Sequence, residues 1–347
     1  MAYISFEPSD HFNTVTYTGN SSSQSITGVG FQPDFLWIKN RGRAENHVLF
    51  NSTRGASKQL RSNTTGAETS TAYIDSFDTD GFSMNTVLKD TNFLNDTYVA
   101  WNWNLNDGTT VSNTDGTITS TAQVNTTAGM SILVYTGTGS AGATIGHGLG
   151  ATPQVIWVKR TGAAEGWSVY HEKDGGGETG IIPIHSNNAF ATSSGDWNDT
   201  APGSSTFTVG TQDRTNSSGQ THVAFCFTEI DGFSRYGHYV GNGSADGPFI
   251  QCGFKPQLVI IKNRDAVENW YMHDSKRDPV NPNNNAINTD LSNGENELSA
   301  YDIDLLSNGF KIRNTNTQHN SSGYNYIFMA WADQSIVAAS GLPNTAT

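Results

Sequence analysis

GFQPDFLWIKNR, residues Gly30–Arg41, and GFKPQLVIIKNR, residues Gly253–Arg264, are nearly the same phrase written twice. A looser copy, GATPQVIWVKRT, occupies Gly150–Thr161. In each copy four apolar residues stand between a proline and a lysine: Phe35–Ile38, Val155–Val158 and Leu258–Ile261. A run this short, apolar at odd and even positions alike, predicts a strand buried on both faces. The proline fits a strand's first residue, where its missing N–H costs nothing.

Other landmarks keep step with the phrase. Aligned on Pro33, Pro153 and Pro256, each copy has a lysine six residues on (Lys39, Lys159, Lys262) and a ring eight residues after that (His47, Trp167, Trp270). A tyrosine precedes each proline by 16, 18 and 17 residues (Tyr17, Tyr135, Tyr239). Each copy closes on an apolar run around an alanine: YVAWNW at Ala100, HVAFCF at Ala224, YIFMAWA at Ala330. The period is too long for a solenoid repeat of ~20–50 residues, so each unit is expected to carry its own core. Asn-Gly, Asp-Gly and Ser-Gly turn pairs between short apolar runs, with no long stretch of helical period, predict an all-β chain. The expected fold is three tandem antiparallel β-sandwich repeats, of jelly-roll or concanavalin-like form, each about 100 residues long. The divisions are a lead at 1–11, repeats at 12–105, 130–230 and 231–334, a polar linker at 106–129 with room for one hairpin, and a tail at 335–347.

Composition narrows the function classes. Of the 347 residues 35% are hydrophobic and 15% charged, yet 8 Trp, 17 Phe and 12 Tyr need burying, which argues against disorder. A net charge of −13 without a basic stretch disfavours a nucleic-acid partner and an anionic membrane. No apolar run approaches the ~20 residues of a membrane span, and the start reads as no signal peptide. Cys226, inside the apolar run HVAFCF, is expected to be a buried small hydrophobe, with a disulfide to Cys252 as the minority reading. Nine N-x-S/T sequons, Asn216 and Asn320 among them, read as by-products of an Asn/Ser/Thr-rich chain.

No constellation of an enzyme is recognisable: G-x-S-x-G, H-E-x-x-H, P-loop and C-x-x-C are all missing. Asp174–Glu178 (DGGGE) lacks the Lys-Ser/Thr of a phosphate loop, and no pair among the 32 acidic residues is marked for glycoside hydrolysis. His171 and His185 could meet across strands, though a local hydrogen-bonding role is the ordinary reading. The Asp/Asn-rich loops could ligate Ca²⁺, but no EF-hand spacing supports it, so no metal and no cofactor is expected. The repeated lysine reads as snorkelling or pairing at a sheet rim, and Arg54 and Arg277, with Asp274, as a clamp holding a loop. The candidate ligand site is the second copy's insertion SSGDWNDTAPGSS. There Trp197 could stack on a sugar while Asp196 and Asn198 take its hydroxyls; packing of Trp197 against a neighbour is the alternative.

YTGTGSAGATIGHGLG, YVGNGSADGPFIQCGFKP, NRDAVENWYMHDSKR and DLLSNGFKIR resemble a repeated domain of structural proteins of marine tailed bacteriophages, tail-fibre-like or lectin-like. The resemblance runs from about Phe12 to Trp331 and carries no catalytic residues. It implies a virion component, assembled in the host cytoplasm and displayed outside the cell. The expected role is a tail-fibre or appendage component with host-surface adhesion. The alternatives are a capsid-decorating head fibre, a carbohydrate-binding module and, least favoured, a polysaccharide depolymerase. Its expected partners are other virion proteins, copies of itself in a trimer, and a host-surface glycan.

Overall fold

The computed structural model describes residues 6–85, 88–173, 176–297 and 299–335. Asp174 and Gly175 of the glycine-rich run, and residues 336–347 of the tail, lie outside them. The chain is all-β and sandwich-like, built from many antiparallel sheets that close into no barrel among the described residues.

Each of the three stretches holds one large sheet with the same order of pairing. An opening strand (Phe12–Thr18, Met130–Thr136, Ser234–Val240) pairs with a closing strand (Thr97–Trp103, Thr221–Phe227, Asn325–Ser335). The closing strand pairs with the proline–lysine strand (Phe35–Asn40, Val155–Arg160, Phe254–Asn263). That strand pairs in turn with a ring strand (Val48–Asn51, Trp167–His171, Trp270–Asp274). Pro33 and Pro153 stand two residues ahead of their strands, whereas Pro256 lies inside one, at register shifts on either side of it. A bulge of this kind removes the ladder bond a proline cannot make.

The outer face of each large sheet is covered by a small one. In the first stretch this comprises Gln24–Ile26, Gly81–Met84 and Ser76–Asp78, and Leu36, Ile38, Phe50, Tyr98 and Ala100 pack there with Ile26, Phe82 and Met84. In the second, Ala143–Gly146 and Thr206–Val209 cover Ile156, Val158, Ala224 and Cys226. The opening tyrosines stack on rings of the closing strands, Tyr17 on Tyr98, Tyr135 on His222 and Tyr239 on Tyr326. Their hydroxyls donate to the carbonyls of Thr91, Thr215 and His319.

The inner faces correct the expectation of separate cores. Phe35, Trp37, Trp101 and Trp103 join Val155, Trp157, Phe225 and Phe227, and Leu258, Ile260, Met329 and Trp331, in one buried cluster. Rings meet across the stretches: Trp37 with Trp157 at 5.9 Å, Phe35 with Phe225 at 4.9 Å, Trp103 with Trp331 at 5.4 Å. The strip 106–129 is no free linker either. Its hairpin, Val111–Asn113 with Ser120–Asn125, extends the second large sheet by pairing with Met130–Thr136.

The lysines also depart from expectation. Lys39, Lys159 and Lys262 are fully buried, and burial pushes each down to about 8. Each ammonium donates to carbonyls of its own loop: Lys39 to Asn40 and Arg43, Lys159 to Glu165, Lys262 to Ala266 and Glu268. Each also reaches one carbonyl of another stretch, Ser292 at 3.1 Å, Thr65 at 3.1 Å and Asn187 at 3.2 Å respectively. The ring residues repeat the pattern. His47 Nε2 meets Asn288 O, Trp167 Nε1 donates to Arg61 O, and Trp270 Nε1 donates to Pro183 O. The backbone N–H groups of Glu295, Glu68 and Phe190 donate to the carbonyls of Arg41, Thr161 and Arg264. Loop 60–68 thus seats on the second stretch, 182–190 on the third and 287–295 on the first, which closes the circle.

The expected arginine clamp sits in the closing seam. Arg277, with no exposed side-chain surface, pairs with Asp274 and Glu295, and Glu295 also pairs with Arg41 at 2.9 Å. Asp274 further accepts Trp101 Nε1–H from the first stretch at 3.2 Å. In the first stretch Arg54 pairs with Glu68, and Asn51, at the position of Asp274, accepts the Arg54 backbone N–H. Arg277→Met would leave Asp274 buried without its counter-charge; the expected loss, read by urea denaturation at pH 7, is about 3–5 kcal/mol.

Candidate functional site

Loop 182–190 of the second stretch has counterparts at 60–68 and 287–295. In each stretch one side chain of this loop accepts the backbone N–H of the ring residue. Asn63 serves His47, His185 serves Trp167 and Asp290 serves Trp270. The three have diverged. Asn63 spends its amide on Asn46. Asp290 is buried with Oδ2 unpartnered among the described residues, and burial raises its carboxyl to about 6. His185 accepts Trp167 N–H through Nδ1 at 3.1 Å, so its proton sits on Nε2, which has no partner among the described residues. Burial lowers His185 to about 4, helped by Lys159 and Arg214 and opposed by Glu165, so the ring is neutral.

The Asp290 shift has a sign that can be worked out. Its folded value lies above the usual 3.8, so the fold disfavours the charged form. The penalty grows as pH rises from the lower value to the higher and is full above it. Asp290→Asn, which borrows the first stretch's solution, is therefore expected to stabilise by about 1–2 kcal/mol at pH 7.5. Guanidinium denaturation at pH 7.5 and 5.5 should show the gain shrinking at the lower pH.

His185 lines a cavity of about 380 Å³ between the first and second stretches, together with Thr65, Glu165, Pro183, Asn188, Thr192, Ser193 and Arg214. Gly166 keeps room for the imidazole, since a Cβ there would stand 2.8 Å from His185 Cε1. Arg214 is held from behind by Asp196, Nε to Oδ1 at 2.6 Å and Nη2 to Oδ2 at 2.7 Å. Asp196 has no exposed surface and also accepts Ser168 Oγ–H and Ser193 Oγ–H. A second, more open depression shares Thr192 and Ser193 and runs on to Ser194, Asp199 and Gln212.

The insertion read as a sugar platform is thus placed differently from expectation. Trp197 is 1% exposed, packs against Tyr170 and Phe207, and donates Nε1–H to Gly180 O. No indole face is open for stacking. Asp196 is committed to Arg214, and Asn198 caps a four-residue helical turn in the left-handed region. His171 and His185 do not meet: His171 reaches Phe328 O through Nε2, while His185 faces the seam. Both cysteines are free and buried. Among the described residues no group of three metal-ligating side chains converges. Asn216 and Asn320 are buried turn-formers, whose Oδ1 accepts Thr138 N–H and Asn242 N–H; Asn92 does the same for Asn20. All three stand six residues ahead of the stacked ring of the closing strand, a spacing that sequence reading could have found.

A family model described as a domain of unknown function, DUF7483, matches residues 7–335. The chain belongs to that family. The DUF7483 match takes in all three stretches and every seam between them, so the family's unit is the whole array rather than one stretch of about 100 residues. None of the curated proteins matches the chain.

Proposed function

We propose that this DUF7483 protein is a building and display component of a bacteriophage particle, a tail-fibre or appendage block that also meets the host surface. The observation that supports this most is the cyclic seam: lysine, ring residue and backbone repeat the same three bonds from stretch to stretch until the last closes on the first. In this reading three copies of one β-sandwich form a covalently linked trimer around a shared aromatic core. The threefold order expected of an assembled trimer is then carried within one chain, which suits a block set on a symmetric appendage. The chain is rich in Ser, Thr, Asn and Gly, and its work is to present loops rather than to make or break bonds. A capsid-decorating role uses the same block at higher copy number.

The test is mass spectrometry and cryo-electron microscopy of purified particles of the phage that encodes the chain. The expected result is peptides of this chain in the particle and density for a three-lobed block at the tail. Particles that lack the chain sink the proposal; density over the head moves it to decoration.

A further inference from the structure

The cavity at the first seam holds several uncommitted groups aimed at one volume. His185 offers Nε2–H, and Arg214 offers Nη1, which has no partner among the described residues because Asp196 takes Nε and Nη2. Glu165 accepts Gly166 N–H through Oε1, and its other oxygen is unpartnered among the described residues. Lys159 donates to the carbonyls of Thr65 and Glu165, both lining residues, and so adds positive charge behind the wall. Donors and cations therefore gather around the cavity with an acceptor, Glu165, whose charge reaches both His185 and Arg214. Ile181, Pro183, Ala189 and Ala191 supply apolar lining. The volume of about 380 Å³ falls in the ~300–1,000 Å³ range of small-molecule sites.

We propose that this cavity binds an acidic sugar, a uronic-acid unit of a polysaccharide, with its carboxylate held between Arg214 and His185. A carboxylate matches the two donors, since a charged acceptor forms the stronger hydrogen bonds. The C–H face of the ring lies on Pro183 and the alanines. Glu165, Thr192 and Asn188 take hydroxyls, as saccharides require of a mostly pre-formed polar site. The depression past Ser193 gives the next sugar of the chain room to leave. The positions equivalent to His185 cannot do this: Asn63 has spent its amide and Asp290 would repel the carboxylate. The site is therefore a property of the second stretch's loop, not of the repeat, and it needs no virion to be tested.

The experiment is isothermal titration of the purified full chain at pH 7 with an oligogalacturonate, a neutral oligosaccharide of equal length, and acetate. The expected result is binding of the acidic oligomer about ten-fold or more tighter than of the other two, about 1.4 kcal/mol. His185→Asp keeps the acceptor for Trp167 N–H, as Asp290 does for Trp270, but removes the donor and adds a negative charge; it should weaken binding about ten-fold or more. Ala189→Trp fills the cavity from a surface loop and should abolish binding, with melting curves confirming that both variants fold. No binding by about 10 mM, equal affinity for the neutral oligomer, equal affinity for acetate, or undiminished binding by either variant each overturns the assignment. Because the assay uses the isolated chain, its failure leaves the particle experiment standing, and the reverse.

Discussion

Expressed alone, residues 130–230 will not fold to a monomer. Within the whole chain their sheet is covered on both sides, on the outside by Ala143–Gly146 and Thr206–Val209, on the inside by the other two stretches. Excision bares Met130, Ile132, Val155, Trp157, Trp167, Phe225 and Phe227 at once. At about 2 kcal/mol for each large apolar side chain returned to water, the loss is on the order of 10–15 kcal/mol, which matches the ~5–15 kcal/mol that holds a typical domain folded. The excision also strips Lys159 of the Thr65 carbonyl and Trp167 of the Arg61 carbonyl. Circular dichroism and the dispersion of amide proton shifts decide the matter. A dispersed spectrum from a species of monomer mass would mean that the inner face is not needed; a disordered chain, or one that recovers structure only by associating, is the expected outcome.

That shared face is legible in the sequence. A sheet in a two-layer sandwich buries one face and should alternate apolar with polar. Phe35–Leu36–Trp37–Ile38 does not alternate, nor do its two counterparts, so a third layer had to exist. The strand pairing and the tyrosine and closing runs were readable because they rest on side chains repeated at fixed spacing. The seams were not, because what they repeat is backbone. Arg61, Pro183 and Asn288 share no chemistry, yet each gives the same carbonyl to a ring residue. Lys39 looked like a rim residue for the same reason: its distant partner, Ser292 O, has no side-chain signature. Trp197 misled through its neighbours. Small polar residues around a tryptophan suggest exposure, but here they form a turn that drives the indole inward while Asp196 braces Arg214. The insertion did mark the cavity; the residues that face it, His185 and Arg214, lie on either side of it in sequence.

Acid should unfold the protein, with a midpoint between about pH 4 and 5.5. His47, His171, His273 and His319 are four of the six histidines with no exposed surface beyond 1%. Burial pushes all four below the usual 6.5, His171 and His273 to about 4. Each is fixed as the neutral ring by its partners. His47 Nδ1 accepts Trp37 Nε1–H while Nε2 donates to Asn288 O. His171 Nδ1 accepts Lys173 N–H while Nε2 donates to Phe328 O. His273 donates from Nδ1 to Asn283 Oδ1 and accepts His319 Nε2–H. A second proton breaks one of these bonds or sits on His319 Nδ1, which is buried with no partner among the described residues. A histidine whose folded value lies below its unfolded one stabilises the fold fully above 6.5 and loses that contribution as pH falls through the folded value. Each unit of pH below 6.5 costs about 1.4 kcal/mol per histidine, so four of them cost about 8 kcal/mol by pH 5. Asp290, raised to about 6, works the other way, as do Glu229, Glu268 and Asp302, which burial also raises, but all four carboxyls are more exposed than these histidines. Tryptophan fluorescence across pH 7 to 3.5 reads the transition, and its steepness counts the protons taken up. Replacing His171 by Asn keeps an acceptor for Lys173 N–H and should reduce that count by about one while moving the midpoint down. A chain that stays folded at pH 3.5, or a proton count that His171→Asn leaves unchanged, would show that these rings are not held neutral by the fold.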